Sequence, residues 1–272
     1  MRGLVRSTAL AAVIILAACG QDTNSPDAAT PLLNADLAAA AADQVGEDVD
    51  IMREPVFFPS MPFGVGPALS PALGPGGGEF TPPSACTYNS STQRLECPTT
   101  TRGSLTVTRS YQFRDANGVA QDHYDAQTTA GANIQTEVSG SRSNDEWSGT
   151  VDRSRDMTAT GLVGDETQRT WNGTGHSEIT RSKNTDEGSE RSYDLNCETT
   201  VTNVVVPVPH SDEHFPLSGS ITIHCTVAFV GGPRDGQTVE RTVTITFNGS
   251  ETATATVGDK TFDIDLKTRH RH

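Results

Sequence analysis

The sequence predicts an all-β protein: a large curled antiparallel meander or imperfect barrel of about ten to twelve strands, with a short N-terminal helix and a Pro/Gly-rich linker. Three observations carry this. From about residue 85 onward apolar residues recur with period two, as in Leu105, Val107, Tyr111 and Phe113 or Ile221, Ile223, Cys225, Val227 and Phe229, the spacing of an antiparallel sheet with one wet face. Turn-forming residues interrupt that pattern at fairly even intervals. Two cysteine pairs fall where pairing them aligns apolar residues across strands.

The elements follow in chain order. Arg2 and Arg6 precede an apolar run too short to span a bilayer, which ends in Leu16-Ala17-Ala18-Cys19. Basic start, apolar stretch and small-residue end make a secretory signal rather than a membrane helix. Because the small residues lead directly into a cysteine, this segment resembles the signal peptide and lipobox of bacterial lipoproteins. The resemblance implies removal of residues 1–18 and lipid modification of Cys19, the attachment to the membrane. Gly20 and Gln21 follow, and Asp22 stands one position too late for the inner-membrane retention signal of the lipoprotein sorting rule. The resemblance therefore points to the outer membrane of the cell envelope.

Residues 19–34 are small, polar and proline-bearing, the composition of a flexible tether. An acidic, Ala-rich helix is expected over 35–52: Asn34 can cap it, Asp36 lies in its first turn, and Ala38 to Ala42 have high helix propensity. Leu33, Leu37, Ala41, Val45, Val49 and Met52 form one apolar stripe, and Asp43, Glu47, Asp48 and Asp50 an acidic face. Such a helix docks on the β domain or a partner, or extends the tether. Residues 53–84 form the Pro/Gly-rich linker, yet hold Phe57, Phe58, Phe63 and Phe80, four of the nine phenylalanines. Phe57, Phe58 and Phe63 are expected to pack on the β domain or a partner.

The β domain spans 85–272. With Cys19 lipidated, Cys86, Cys97, Cys197 and Cys225 remain, an even number that in an exported chain suggests two disulfides. Pairing Cys86 with Cys97 sets Tyr88 opposite Leu95. Pairing Cys197 with Cys225 sets Leu195 opposite Val227, Tyr193 opposite Phe229, Val201 opposite Ile221 and Val205 opposite Leu217. Asn248-Gly249-Ser250 as a three-residue loop brings Ile245 opposite Ala253, and Gly258-Asp259 as a two-residue loop sets Ala255 against Phe262 and Ala253 against Ile264. Further reversals are expected at Asn117-Gly118, Gly131-Ala132, Asn144-Asp145, Gly164-Asp165, Asn172-Gly173 and Asn184 to Gly188.

Residues 130–185 are much more polar, so their strands are expected to bury little. Arg142, Arg153, Arg155, Arg169 and Arg181 stud this stretch and are expected to pair with Asp and Glu across strands. Trp147 and Trp171 read as core residues rather than a carbohydrate-stacking platform. His210, Asp212, Glu213 and His214 are the densest group of metal-ligand types, at the tip of a hairpin bounded by prolines; that frame suits a solvated loop better than a metal centre. Asp115 to Gly118 opens like a calcium loop but lacks its later ligands and reads as a turn.

Removing residues 1–18 takes away two of the 20 bases and none of the 34 acids, leaving 18 against 34 and a net charge of about −16. Electrostatic binding to nucleic-acid phosphates or to anionic lipid headgroups is thereby disfavoured. No GxSxG, HExxH, Walker A, GxGxxG or CxxC pattern occurs, so no catalytic residue and no cofactor are assigned. The expected function is that of a lipid-anchored, non-enzymatic binding or structural module with an envelope protein, glycan or lipid as partner. A periplasmic carrier of a lipid or other apolar ligand is the alternative, and a glycan-binding or glycan-cleaving protein the second.

Overall fold

The computed structural model describes residues 26–53, 85–143, 147–162, 164–183, 191–208 and 215–267. The expectations for Cys19, for Phe57, Phe58 and Phe63, for the reversals at Asn144-Asp145 and Asn184 to Gly188, and for His210, Asp212, Glu213 and His214 lie outside the described residues.

One helix, α1 (Pro26–Arg53), precedes thirteen strands among the described residues. The strands are β1 (Thr87–Asn89), β2 (Arg94–Glu96), β3 (Thr100–Arg102), β4 (Leu105–Asp115), β5 (Ala120–Gln121), β6 (Thr129–Ser143), β7 (Trp147–Thr160), β8 (Gln168–Lys183), β9 (Arg191–Pro207), β10 (Ser218–Val230), β11 (Thr238–Thr246), β12 (Thr252–Val257) and β13 (Lys260–Asp265). All belong to one antiparallel sheet in the order β1-β2-β4-β6-β7-β8-β9-β10-β11-β12-β13, with β3 and β5 paired to β4. Its two ends do not join, so the all-β meander is curled but not closed. From β6 on, every strand pairs with its neighbour in sequence, the low-crossover arrangement that short hairpins produce.

The helix begins at Pro26 rather than near residue 35, so residues 26–34 are helical and not tether. It lies in the concave face of the sheet. Leu33, Leu37, Ala41, Val45, Val49 and Met52 are all buried, together with Val243, Ile245, Ala253, Ala255, Val257 and Ile264. The stripe approaches β12 most closely, and the small side chains of the buried Ala253 and Ala255 on that strand let the backbones draw near.

The disulfides form as expected, Cys86 with Cys97 and Cys197 with Cys225. Tyr88 pairs with Leu95, and Val201, Leu195 and Tyr193 with Ile221, Val227 and Phe229. The pairing of Val205 with Leu217 does not hold. Asn203, with a left-handed φ of 49°, is an extra residue on β9, and beyond it Val205 pairs with Ser218. A bulge of this kind reverses which side chains point inward: Cys197, Thr199 and Val201 are buried below it and Val204 and Val206 above it. Gly219 sits across from this bulge, and a Cβ there would lie 2.3 Å from the Asn203 carbonyl oxygen.

The Gly258-Asp259 turn has the expected register, Ala255 on Phe262 and Ala253 on Ile264. The preceding hairpin is shifted by two residues: Ile245 faces Ala255, and the loop runs from Phe247 to Glu251. Both registers keep apolar residues on one face, so period two cannot choose between them. Backbone bonds from the Phe247 N–H to the Gly219 carbonyl (3.1 Å) and from the Gly249 N–H to the Pro216 carbonyl (2.9 Å) hold the loop against the start of β10. Asn117-Gly118 and Gly164-Asp165 lie in reversals, whereas Gly131-Ala132 lies within β6 and Asn172-Gly173 within β8, beside the Asn203 bulge.

The disulfide between Cys197 and Cys225 closes the longer loop, 28 residues against 11. On chain-entropy grounds Cys197→Ser with Cys225→Ser should cost roughly 3–4 kcal/mol and Cys86→Ser with Cys97→Ser somewhat less. Denaturant unfolding of the two double variants measures both.

Candidate functional site

The interior of the curled sheet is charged on one side. In β7, Arg153 and Arg155 share the alternation that turns Trp147 and Met157 inward, and in β8 Arg169 and Arg181 share that of Trp171 and Ser177. All four arginines are buried, with exposures of 3%, 3%, 2% and 5%. Strand geometry gives them no choice: an inward parity carries every second residue into the core. The stretch expected to bury little thus has a fully formed inner face, with Trp171 and Met157 inaccessible to solvent.

The acids that neutralise three of these arginines come from the helix, not from neighbouring strands. Arg153 contacts Glu47. Arg155 donates from Nε to Asp48 Oδ1 at 2.9 Å and from Nη2 to Gln44 Oε1 at 3.3 Å. The Ser177 hydroxyl donates to the same Gln44 oxygen at 3.1 Å. Arg181 donates to Asp43 Oδ2 at 3.2 Å and lies 4.2 Å over the Trp147 ring. Towards the helix N-terminus, Tyr193 donates its hydroxyl to Asp36 Oδ2 at 2.9 Å, Arg191 stands 3.2 Å from that oxygen, and Arg241 of β11 donates to Asn34 at 3.4 Å. Arg169 follows another rule and pairs with Glu166 three residues before it, at 2.8 Å from Nε and 2.7 Å from Nη2. The expected cross-strand pairing of Arg153, Arg155, Arg169 and Arg181 is therefore replaced by pairing to the helix for three and to a neighbouring loop for one. Of the Arg142 side chain nothing is described.

Space for Arg155 is provided by Gly175, its partner across the β7–β8 ladder. A Cβ at Gly175 would lie 2.5 Å from both Cδ and Nη1 of Arg155. Gly173 plays the same part for Met157, whose Cγ would stand 3.0 Å from such an atom.

Burial dominates the electrostatics. Asp48 is pushed above the ordinary carboxylate value by burial, which the Arg155 charge and hydrogen bond oppose; its Oδ2 has no hydrogen-bond partner among the described residues. Asp36 is raised for the same reason, against the pull of Arg191 and Tyr193. Burial and the Asp36 carboxylate raise Tyr193. Burial and then the like charge of Arg155 draw Arg153 downward, and Glu47 is the acid in contact with it. The arrangement neutralises charge and fills space; no described metal-ligand group of three or more His, Cys, Asp or Glu occurs.

The outer face differs. A shallow groove of about 810 Å³ crosses β6 to β10, lined among others by Ser139, Asp152, Glu178, Asp194, Asn196 and Thr226. Among the described residues its lining holds three carboxylates and no Lys or Arg. Outward positions such as Thr106, Thr108, Ser110 and Gln112 are polar, unlike the apolar band by which a membrane β-barrel meets lipid. Asp115 closes the turn after β4, accepting from the N–H groups of Asn117 and Val119 at 2.8 Å each, and these bonds hold its carboxyl below the usual range. Trp147 and Trp171 are buried, with exposures of 5% and 0%. No family model matches the chain, nor does any curated protein or solved structure.

The helix acids were missed as partners although a signal for them is present: arginines at inward parity require buried acids, and the acidic helix face is the nearest supply. Removing one partner of such a pair leaves a buried charge unmatched, so Glu47→Gln should cost about 3–5 kcal/mol, while Glu47→Leu with Arg153→Met together should be close to neutral. Urea unfolding of both variants decides this. A carboxyl raised above its ordinary value of 3.8 stabilises the fold fully below that pH and loses its contribution as pH rises through the raised value. The stability of the parent relative to Asp48→Asn should therefore fall as pH rises from about 4, measured by denaturant midpoints across that range.

Proposed function

We propose that this chain is a lipid-anchored lipoprotein of the bacterial cell envelope, directed to the outer membrane, whose β domain is a non-enzymatic binding or structural module. The run Leu16-Ala17-Ala18-Cys19 behind Arg2 and Arg6 carries the reading. Two acyl chains, unlike one, make such an anchor stable. The two disulfides suit an oxidising compartment, and the polar outer face suits a domain that stands in water beside the bilayer.

For the module role, the support is that the concave interior is occupied by the chain's own helix. A carrier of apolar ligands in this fold would have to displace α1 and leave Arg153, Arg155 and Arg181 without their acids. The outer groove remains open and takes a partner that presents hydroxyl, amide or cationic groups to Asp152, Glu178 and Asp194.

In a bacterial expression host the mature protein should begin at Cys19 with the added mass of a diacylglyceryl group and an N-terminal acyl chain, and partition into the membrane fraction. Cys19→Ala should leave it in the soluble fraction. Intact-mass spectrometry of both forms tests the anchor. Native mass spectrometry of the Cys19→Ala form should show no stoichiometric lipid; bound lipid would favour the carrier.

A further inference from the structure

We infer that the end of the sheet bearing the β10–β11 and β12–β13 turns faces the membrane, and that the opposite end is presented away from it. The inference rests on lipidation of Cys19.

The direction of the helix sets the geometry. Asp36 meets Arg191 and Tyr193 near the start of β9, whereas Glu47 and Asp48 meet Arg153 and Arg155, four and six rungs beyond Tyr193 along the β7–β8–β9 ladder. The helix therefore enters the concave face at the end where β8 and β10 finish and β9, β11 and β13 begin. Its ion pairs on one side and its apolar stripe on the other fix it there. Residues 26–34 rise about 1.5 Å each, so Pro26 lies about 12 Å before Asn34 along the axis. From Cys19 to Pro26 are seven residue steps, which reach at most about 25 Å when fully extended. The lipid thus lies within about 25 Å of Pro26, on the side of this rim. The strands are longer than that: β7 has 14 residues, about 45 Å at 3.3 Å each. An inverted domain, with the far rim on the bilayer, exceeds the reach of the tether.

The test uses the full-length lipidated protein in vesicles of phosphatidylethanolamine and phosphatidylglycerol carrying a headgroup nitroxide. A fluorophore is attached at Asp259→Cys or Thr238→Cys at the near rim, and at Asn117→Cys or Ser250→Cys at the far rim, with an unchanged melting temperature required of each. Quenching several-fold greater at Asp259 and Thr238 is the expected result. Equal quenching at both rims, or the reverse, in protein whose intact mass carries the acyl chains overturns the orientation alone. Absence of the acyl mass overturns the anchor and the orientation together.

Discussion

An arginine taken out of water needs an acid taken out of water with it. In this protein that requirement couples the N-terminal helix to strands more than a hundred residues away. Arg153, Arg155 and Arg181 point into the sheet because strand parity sends them there, and each would be an uncompensated interior charge without Glu47, Asp48 and Asp43. Burying ion pairs is a poor way to gain stability, since desolvation offsets most of the attraction. What such pairs set is position: an apolar stripe alone tolerates sliding, whereas a row of matched charges fixes the rotation and depth of the helix.

The curvature of the sheet follows the same division. The helix offers an apolar stripe to β11, β12 and β13 and an acidic face to β7, β8 and β9, and the sheet bends far enough round to meet both. A flat sheet would have left the arginines in solvent and the acids unmatched. Gly173 and Gly175 contribute by making room on the inner face of β8 for Met157 and Arg155. The low apolar content of the middle strands reflects an interior assembled from ion pairs, rings and one helix in place of packed aliphatic chains.

An interior filled in this way directs attention outward. The helix leaves the sheet at one rim, close in sequence to Cys19, and with the lipidation proposed for Cys19 the element that fills the core would also join the domain to its anchor. The outer groove lies on the far side of the sheet from the helix, where the surface is polar and acidic.

The sequence by itself determined whatever depends on neighbours along the chain or directly across a hairpin. The period-two strands, the pairing of Cys86 with Cys97 and Cys197 with Cys225, the Gly258-Asp259 register and the apolar stripe from Leu33 to Met52 were all legible. Where two registers satisfied the same alternation, as around Asn248, backbone bonds to the start of β10 chose between them. Where one residue changed parity, as Asn203 does, only the bulge itself decided that Val204 and Val206 face inward. The partners of the buried arginines belong to the tertiary structure entirely. Parity announces that Arg153 and Arg155 go inside, but which acids meet them is set by how far the sheet curls, a property of all its strands together and of no segment alone.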